Sequence, residues 1–343
     1  RRRQTNACRQ LAADHARVHG SFRYIPHHFS VVPILSLSLF ESLFFLDTVI
    51  CYHALPHYVI SRLMLNIDLH CHSSISDGVL TPTQLVERAK FRGVETLALT
   101  DHDDIAGLAE AQKAAKDNHI ELINGVEISV SWRGRTLHIL GLAIDPKYTP
   151  LVEGLATLRA GRLSRAERIA AELKKIGIHD SLEGAYAYVG NQGIIGRTHF
   201  ARFLSEQGHA KDVKSVFKKY LVKGKPGYTP HQWAELSDAI DWIRGSGGQA
   251  VIAHPGRYDL GKNVMQDLLN EFRALGGHGL EVISPSHTLE QVNFYAQHAR
   301  AMQLAVSCGS DFHGPNESYY DLGQLPNIPA ECTPIWYNWE NNS

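Results

Sequence analysis

The sequence predicts an α/β barrel, and two patterns support this fold class. From about residue 64 onward, short β-rich runs alternate with helical segments, which is typical of parallel strands in one sheet. Polar residues capable of chemistry follow the ends of successive strand-like runs, as Asp101 and His254 do. In a barrel of parallel strands these ends meet at one rim, so we expect an active site there.

The predicted barrel covers residues 64–146 and 231–330. Its first helix is expected to begin after Thr81 as N-cap, with Pro82 at the first helical position. A second helix is predicted over residues 105–119. The predicted strands occupy residues 65–69, 96–100, 121–132, 136–144, 250–253, 280–283 and 304–307.

Residues 147–230 interrupt this alternation, because no convincing strand occurs between Ile144 and Gln249. The run 151–176 is rich in Ala, Leu, Arg and Glu and predicts a long helix, and shorter helices are expected over 198–207 and 212–219. We interpret 147–230 as a helical insert that covers the active site. The alternative is a plain pair of barrel helices.

Residues 1–63 do not continue the pattern. The apolar stretch 31–50 is interrupted by Pro33, Glu41 and Asp47, so its uninterrupted length is short of the roughly 20 residues that span a bilayer. Met64 directly precedes the first predicted strand. We therefore expect the functional protein to begin near Met64, with 1–63 an extension outside the fold; a membrane-associated leader is the alternative.

Composition excludes some partners and favours a compartment. The net charge of the 343 residues is −1, which provides no overall field for DNA or an anionic membrane, so we expect neither as a stable partner. The five cysteines form no C-x-x-C pair and leave one odd, which favours a reducing compartment, the cytoplasm, over a disulfide framework. Protein partners are left open by the sequence.

The most informative local pattern is an H-x-H pair at the end of the first predicted strand. Side chains alternate along a strand, so His70 and His72 project together and Cys71 points to the other face. Two adjacent imidazoles are half of a metal site, although the pair also fits two polar residues at a loop mouth. Further candidate ligands recur along the chain: Asp77, His102, Glu127, His138, His254, Asp311 and His313.

Mixed imidazole and carboxylate ligands suit Zn, Mn or Fe, and the sequence does not fix which metal binds. Clustered divalent metals acidify water and neutralise phosphoryl oxygens, which phosphate-ester hydrolysis requires. Individual residues have structural alternatives. Asp68 could hold a ligand imidazole in one tautomer, Asp103 and Asp104 could cap the next helix, and His138 could be a core histidine.

These residues lie in motifs that resemble the PHP (polymerase and histidinol phosphatase) superfamily. The run DLHCHSSISDGVLTP at 68–82 is similar to its opening motif. LTDHD (99–103), GVEIS (125–129), AHPGR (253–257) and GSDFH (309–313) resemble its later motifs in order. GRTHFAR (196–202) and VFKKYLVKGKPGY (216–228) are similar to the bacterial subfamily that includes RNase AM and 3′,5′-nucleoside bisphosphate phosphatase.

The resemblance implies a distorted (β/α)7 barrel that binds three divalent metal ions, most often manganese, with Zn, Fe or Mg as alternatives. One metal would take His70, His72, Glu127 and Asp311. A second would share Glu127 and take His138 and His254. The third would take Asp77, His102 and His313.

The helical insert supplies basic residues for substrate phosphate, since a near-neutral protein must bind polyanions through a local cluster. We predict that Arg197, His199, Arg202 and Lys225 bind phosphate, and that His199 could protonate the leaving group. An ordinary solvated basic face is the alternative.

The function that the resemblance implies is metal-dependent hydrolysis of nucleotide phosphoesters. Two linked activities are expected: removal of the 3′-phosphate of 3′,5′-bisphosphonucleotides, and 5′-to-3′ trimming of short 5′-phosphorylated RNA. Three alternatives are a histidinol-phosphate or other sugar-phosphate phosphatase, a non-catalytic metal-binding PHP module, and a metal-dependent amidohydrolase.

Overall fold

The computed structural model describes residues 66–342, so the predicted extension 1–63, Met64 and the first residue of the predicted strand 65–69 lie outside the described residues. The described chain contains eight strands in one sheet. They are β1 Ile67–Cys71, β2 Thr96–Leu99, β3 Glu121–Trp132, β4 Arg135–Leu142, β5 Ala234–Glu235, β6 Gln249–Ile252, β7 Gly279–Ile283 and β8 Ala305–Cys308.

The sheet is a nearly closed mixed barrel. Its strand order is β1-β2-β3-β4-β6-β7-β8, with β5 paired to β3. The two ends meet beyond β8, where Cys71 bridges Phe312 and the Asp311 backbone N donates to the His70 carbonyl at 2.8 Å. The predicted distorted barrel of seven strands is confirmed by this closed path, with the two-residue β5 outside it.

The expectation that all strands run parallel was wrong at β4, which is antiparallel to both β3 and β6. Only Arg133 and Gly134 connect β3 to β4, and their φ angles are 47° and 72°. Two successive residues with positive φ form a type I′ turn, whose twist matches a hairpin. The Arg-Gly pair lacks the Asn-Gly signature of such turns, so the pattern did not reveal the reversal.

Five helices pack on the outside of the strands. The first has the predicted cap: the Gln84 backbone N donates to Thr81 Oγ1 at 3.2 Å, and the Thr81 N donates to Gln84 Oε1 at 3.0 Å. The five are α1 Pro82–Phe91, α2 Leu108–Asn118, α7 Leu236–Gly245, α8 Lys262–Ala274 and α9 Leu289–Ala301.

The segment between β4 and β5 contains no strand within the described residues. Its α-helices are α3 Thr149–Lys175, α4 Ser181–Tyr186, α5 Arg197–Glu206 and α6 Val213–Val216, with a 3₁₀ turn at Gln192–Ile194 and a π turn at Phe217–Leu221. Leu151 and Leu155 of α3 belong to the barrel core, whereas Ile169 and Leu173 belong to a second hydrophobic cluster with α4 and α5. Helix α3 is therefore shared by both cores, and the division at residues 147 and 230 stays a prediction.

The C-terminal segment packs on the barrel. A 3₁₀ helix covers Ile335–Asn342, Trp336 is buried in the main core, and Trp339 Nε1 donates to Gln249 Oε1 at 2.6 Å. Within the described residues, no helix has the length and apolarity that a membrane span requires.

Asp321 ties the segment after the rim to helix α1 and gives a pH-dependent prediction. Its carboxylate accepts from Arg88 at 2.8 and 2.7 Å and pairs with Arg92. Burial raises the pKa of Asp321, but the hydrogen bond and charge of Arg88 and the charge of Arg92 outweigh burial and lower it. A depressed folded-state pKa stabilises the fold above the unfolded pKa, and that stability is lost as pH falls through the folded value.

We expect Asp321→Asn to lower the free energy of unfolding at pH 7 by about 1 kcal/mol. The difference from the wild type should be smaller at pH 3, which lies below the pKa of about 3.9 that an unfolded aspartate has, because proton uptake then favours the unfolded wild-type chain. Urea unfolding at both pH values measures this, with the exposed Asp117→Asn as control. An equal loss at the two pH values would contradict the assignment.

Candidate metal centre

The predicted ligands converge at one rim of the barrel. β1 carries His70 and ends just before His72, so both imidazoles reach the rim from the first strand. Glu127 lies within β3, and His138 lies in β4 opposite Ser129, whereas Leu140 is opposite Glu127. The remaining five are placed by loops or strand ends at the same rim: Asp77, His102, His254, Asp311 and His313.

Glu127 is the centre of the cluster. It is fully buried, and His102 forms a β-bridge with it across the rim. Its two carboxylate oxygens lie within 3.3 Å of five imidazoles. The distances are 3.3 Å to His70 and to His72, 2.9 Å to His102, 2.8 Å to His138 and 2.9 Å to His254.

Three groups of side chains have ligand atoms that all lie within 4.8 Å of one another. One is the predicted first set of His70, His72, Glu127 and Asp311. The second contains His102, Glu127 and His138; His254 lies beside it, at the same Glu127 oxygen as His138. The third adds His72 to Asp77, His102 and His313. The structure thus brings together all nine predicted ligands, and their division among separate ions stays a prediction.

Unpartnered buried atoms show that these residues fit a metal ion. Among the described residues, Asp77 Oδ1 and Glu127 Oε2 are buried without a hydrogen-bond partner, as are His72 Nδ1 and His254 Nδ1. Burying a polar atom without a partner costs about 1–3 kcal/mol. These atoms belong to one cluster of buried carboxylates and imidazoles, which is an arrangement that cations stabilise.

The electrostatics of the cluster also favour a cation. Burial raises the pKa of Glu127, but the imidazoles of His102, His138 and His70 outweigh burial and lower it well below the usual range. Burial lowers the pKa of His72, but its contacts with Asp311 and Glu127 raise it to about 10. Metal ions and protons compete for such ligands, so ionised carboxylates beside imidazoles whose protons a metal ion can replace are suited to a cation.

Glu281 supports the cluster from β7 and was not selected from the sequence. It is fully buried, its Oε1 lies 2.9 Å from His70 Nδ1, and its Oε2 accepts from the His254 backbone N at 2.6 Å. A carboxylate behind a ligand imidazole fixes the ring orientation and tautomer. An acid in the middle of the apolar strand 280–283 was a signal that could have identified it.

Asp68 does not have the predicted role beside an imidazole. Its Oδ1 accepts from the backbone N of Ser310 at 2.9 Å and of His70 at 3.3 Å, so it joins β1 to the segment after β8.

Arg257 is a second residue that was not selected from the sequence. Its guanidinium pairs with Asp311 and its side chain is 42% exposed at the rim.

Asp103 is not a helix cap. It is buried, and its carboxylate accepts from the Ser129 backbone N at 2.7 Å and from Arg162 Nε at 3.0 Å. Asp104 accepts from the Ala106 backbone N at 2.9 Å, in the turn before α2 rather than at its cap. Asp103 therefore anchors the insert, through Arg162, beside the rim.

The four predicted phosphate ligands are in different environments. His199 is fully buried, with Nδ1 accepting from the Gly196 backbone N at 3.0 Å. Arg202 donates to Glu317 at 2.9 and 2.6 Å and to the Asp77 carbonyl at 2.6 Å. Lys225 is exposed in the loop that follows the π turn, whereas Arg197 is half-buried at the start of α5.

The insert contains an arginine group, formed by Arg162, Arg165 and Arg197, of which only Arg197 was selected from the sequence. Arg165 is 8% exposed, its Nε has no hydrogen-bond partner among the described residues, and no carboxylate there pairs with it. Burial, together with the charges of Arg197 and Arg162, lowers the pKa of Arg165 to about 9. Arg162 and Arg165 both lie over the Trp233 ring, at 5.0 and 5.2 Å. The spacing of three residues along α3 was a signal that could have revealed them.

The barrel and its rim define a class: a hydrolase whose chemistry depends on metal ions bound by imidazoles and carboxylates. Residues 68–276 match the model of the PHP domain family. The chain belongs to the PHP domain family of metal-dependent phosphoesterases, as the sequence motifs predicted.

Named relatives support this assignment over most of their length. A 3′,5′-nucleoside bisphosphate phosphatase of Chromobacterium violaceum is 51% identical, covering 81% of this chain and 97% of the relative. A 5′-3′ exoribonuclease of Escherichia coli is 42% identical, covering 80% and 93%. A 5′-3′ exoribonuclease of Haemophilus influenzae is also 42% identical, covering 78% and 97%.

Solved structures show the same fold. One, described as an amidohydrolase from Chromobacterium violaceum with bound sulfate and no metal, matches with a TM-score of 0.78 and 51% identity, over 80% of this chain and 96% of that one. Another, from Bifidobacterium adolescentis and described as a proposed metal-dependent phosphoesterase, matches with a TM-score of 0.67 and 30% identity, over 78% and 92%.

Proposed function

We propose that this phosphoesterase removes the 3′-phosphate of 3′,5′-bisphosphonucleotides and trims short 5′-phosphorylated RNA from its 5′ end. The observation that carries the proposal is the pair of guanidinium groups, Arg165 and Arg197, for which the described residues provide no carboxylate partner. The names of the bacterial relatives agree with this substrate class.

The arginine group connects to the metal centre through one strand. On β3, the side chains of Glu127, Ser129 and Ser131 face the same way, because successive residues alternate. Ser129 Oγ accepts from Arg162 at 3.2 Å, and Ser131 Oγ accepts from the Trp233 backbone N at 2.9 Å. From Glu127 to Ser131 the strand advances roughly 13 Å, so it connects the metal cluster to the arginine group.

This arrangement suits a substrate with two phosphates. A 5′-phosphate on Arg165 and Arg197 would satisfy their unpaired donors, since guanidinium groups bind phosphate oxygens bidentately. The ester phosphate would then lie among the predicted metal ligands. A sugar-phosphate phosphatase or an amidohydrolase has no comparable need for a second, buried cationic group.

We propose that the cluster binds three divalent cations, with manganese as the preferred ion. The supporting observations are three overlapping groups of ligand atoms and the absence of cysteine from them. The proposed ligands are His70, His72, Asp77, His102, Glu127, His138, His254, Asp311 and His313. Bound divalent ions supply an activated water molecule and neutralise charge on the phosphoryl oxygens.

The chain's own residues orient the substrate for hydrolysis, in which water forms a new bond to phosphorus and the ester P–O bond breaks. Glu281 and the cluster carboxylates fix the imidazoles, and Arg257 is available to donate to a phosphoryl oxygen from the rim. The insert, tied beside the rim through Arg162 and Asp103, would shield the reacting phosphate from bulk water.

We assign different roles to the other predicted phosphate ligands. His199 is neutral at pH 7, because burial lowers its pKa to about 4, with the charges of Arg202 and Arg162 adding to the effect. It is also fully buried, so we propose that it orders the start of α5 rather than protonating the leaving group. Arg202 positions Asp77 and Glu317, and Lys225 attracts substrate from the surface.

We also propose that the enzyme acts in the cytoplasm. Its three described cysteines, Cys71, Cys308 and Cys332, are free and buried, which fits a reducing compartment.

The proposal is tested with Arg165→Ala and two substrates, a nucleoside 3′,5′-bisphosphate and the matching 3′-monophosphate. Losing a charge-assisted hydrogen bond to the 5′-phosphate should raise KM for the bisphosphate roughly 10- to 100-fold. The 3′-monophosphate, which lacks that contact, should be hydrolysed slowly and almost equally by both proteins. Phosphate release with Mn²⁺ measures both.

Arg273→Ala is the matched control, since its guanidinium donates to Gln303 on the outside of the barrel. If the wild-type enzyme hydrolysed the two substrates at equal rates, the sugar-phosphate phosphatase would be the better assignment. If Arg165→Ala lost the same fraction of its activity on both substrates, Arg165 would not be a ligand of the 5′-phosphate.

A further inference from the structure

The rim segment 314–321, which follows the metal-centre residue His313, carries an exposed aromatic side chain. Tyr319 is 81% exposed, although large aromatic side chains usually bury most of their area. The half-exposed Val79 lies on the same rim: its backbone N donates to the His313 carbonyl at 2.8 Å, and its side chain leaves no room for a Cβ at Gly314. The rim beside the metal centre is therefore apolar at this point.

The segment is fixed at both ends and in the middle. Ser318 Oγ accepts from the His313 backbone N at 2.7 Å, Glu317 pairs bidentately with Arg202 of α5, and Asp321 pairs with Arg88 and Arg92 of α1. Tyr319 lies between these anchors, with its ring centroid 5.0 Å from that of Tyr320 in an edge-to-face arrangement. An exposed ring on a fixed backbone loses little entropy when it binds a flat ligand.

We propose that Tyr319 is a stacking platform for the second nucleobase of an RNA substrate, the base on the 3′ side of the scissile phosphate. This inference rests on the proposed function, because it requires the first nucleotide to lie between the arginine group and the metal centre. With the 5′-phosphate held in the insert, the rest of the strand must leave beyond the metal centre. The segment after His313 borders that exit.

The position of the ring separates the two proposed activities. A 3′,5′-bisphosphonucleotide ends at the scissile phosphate and has no second base, so it does not reach Tyr319. An oligoribonucleotide does reach it, and stacking on an aromatic side chain contributes about 1–3 kcal/mol per base without sequence preference. Tyr319 therefore binds RNA but leaves bisphosphonucleotide hydrolysis unaffected.

The test compares Tyr319→Ala with the wild-type enzyme on a nucleoside 3′,5′-bisphosphate and on a 5′-phosphorylated tetraribonucleotide, both with Mn²⁺. We expect KM for the tetranucleotide to rise about 5- to 100-fold, with kcat/KM for the bisphosphate unchanged. Tyr319→Trp should restore the tetranucleotide KM, because the larger ring still stacks. Phe91→Ala is the matched control, since Phe91 is 82% exposed on the outer helix α1.

The results expected if the Tyr319 platform is wrong differ from those expected if the proposed function is wrong. Equal losses on both substrates in Tyr319→Ala would indicate a structural role for the ring and overturn the platform. No loss on the tetranucleotide would overturn it as well. A wild-type enzyme that hydrolyses the bisphosphate but not the tetranucleotide would overturn the platform together with the proposed RNA trimming and leave the proposed phosphatase activity standing. One that hydrolyses neither would overturn the whole proposed function.

Discussion

Replacing Glu127 with glutamine is expected to lower kcat for phosphate release by roughly 10³-fold or more, the largest effect that we predict for one residue. Glu127 is the carboxylate shared by the five imidazoles around it, and two of the three potential metal groups include it. Glutamine keeps the shape but removes the negative charge, so the metal affinity of both groups should fall together.

Two measurements separate this effect from a loss of folding. Metal content after dialysis should fall in Glu127→Gln, while the circular dichroism spectrum should match that of the wild type. Glu290→Gln, an exposed glutamate in the first turn of α9, is the matched control and should change neither metal content nor rate. Full metal content with normal turnover in Glu127→Gln would contradict its central position.

Replacing Glu281 with alanine should have the second-largest effect, although Glu281 is not one of the predicted metal ligands. The change leaves His70 Nδ1 and the His254 backbone N without their buried acceptor. We expect metal affinity to fall about 10- to 100-fold, because the imidazole of His70 is no longer held in one orientation. The two unsatisfied groups should also lower the free energy of unfolding by about 2–4 kcal/mol.

Isothermal titration calorimetry of the metal-free protein with Mn²⁺ measures the metal affinity, and urea unfolding measures the stability. Saturating Mn²⁺ should largely restore kcat in Glu281→Ala, which distinguishes a positioning residue from a ligand such as Glu127. An activity loss that excess metal does not rescue would contradict the positioning role.

Local signals predicted much of this molecule. The cap of Thr81 and Pro82 identified α1, and the uninterrupted apolar runs identified the strands that line the core. The H-x-H pair and the acids and histidines near the other strand ends identified the side chains that gather at the rim. Each of these depends on residues close together in the sequence, where spacing alone determines which side chains share a face.

The remaining features depend on contacts between distant residues. Arg202 pairs with Glu317, which is 115 residues away, and Arg162 pairs with Asp103, which is 59 residues away. Arg165 has no carboxylate partner among the described residues, and no local pattern in the sequence predicted these differences. The reversal of β4 depended on the backbone angles of Arg133 and Gly134, which their residue types did not specify. Glu281 was visible as an acid in a strand, but its partner His70 is 211 residues away.

Helix α3 has a consequence for substrate selection, because it passes without a break from the barrel core to the insert core. Its first turns pack on the barrel, so the distance from the metal centre to the proposed 5′-phosphate pocket is set by two stiff elements, a strand and a helix. We therefore expect the enzyme to select nucleotides by the distance between their two phosphates, and to hydrolyse those with a shorter or longer spacing more slowly.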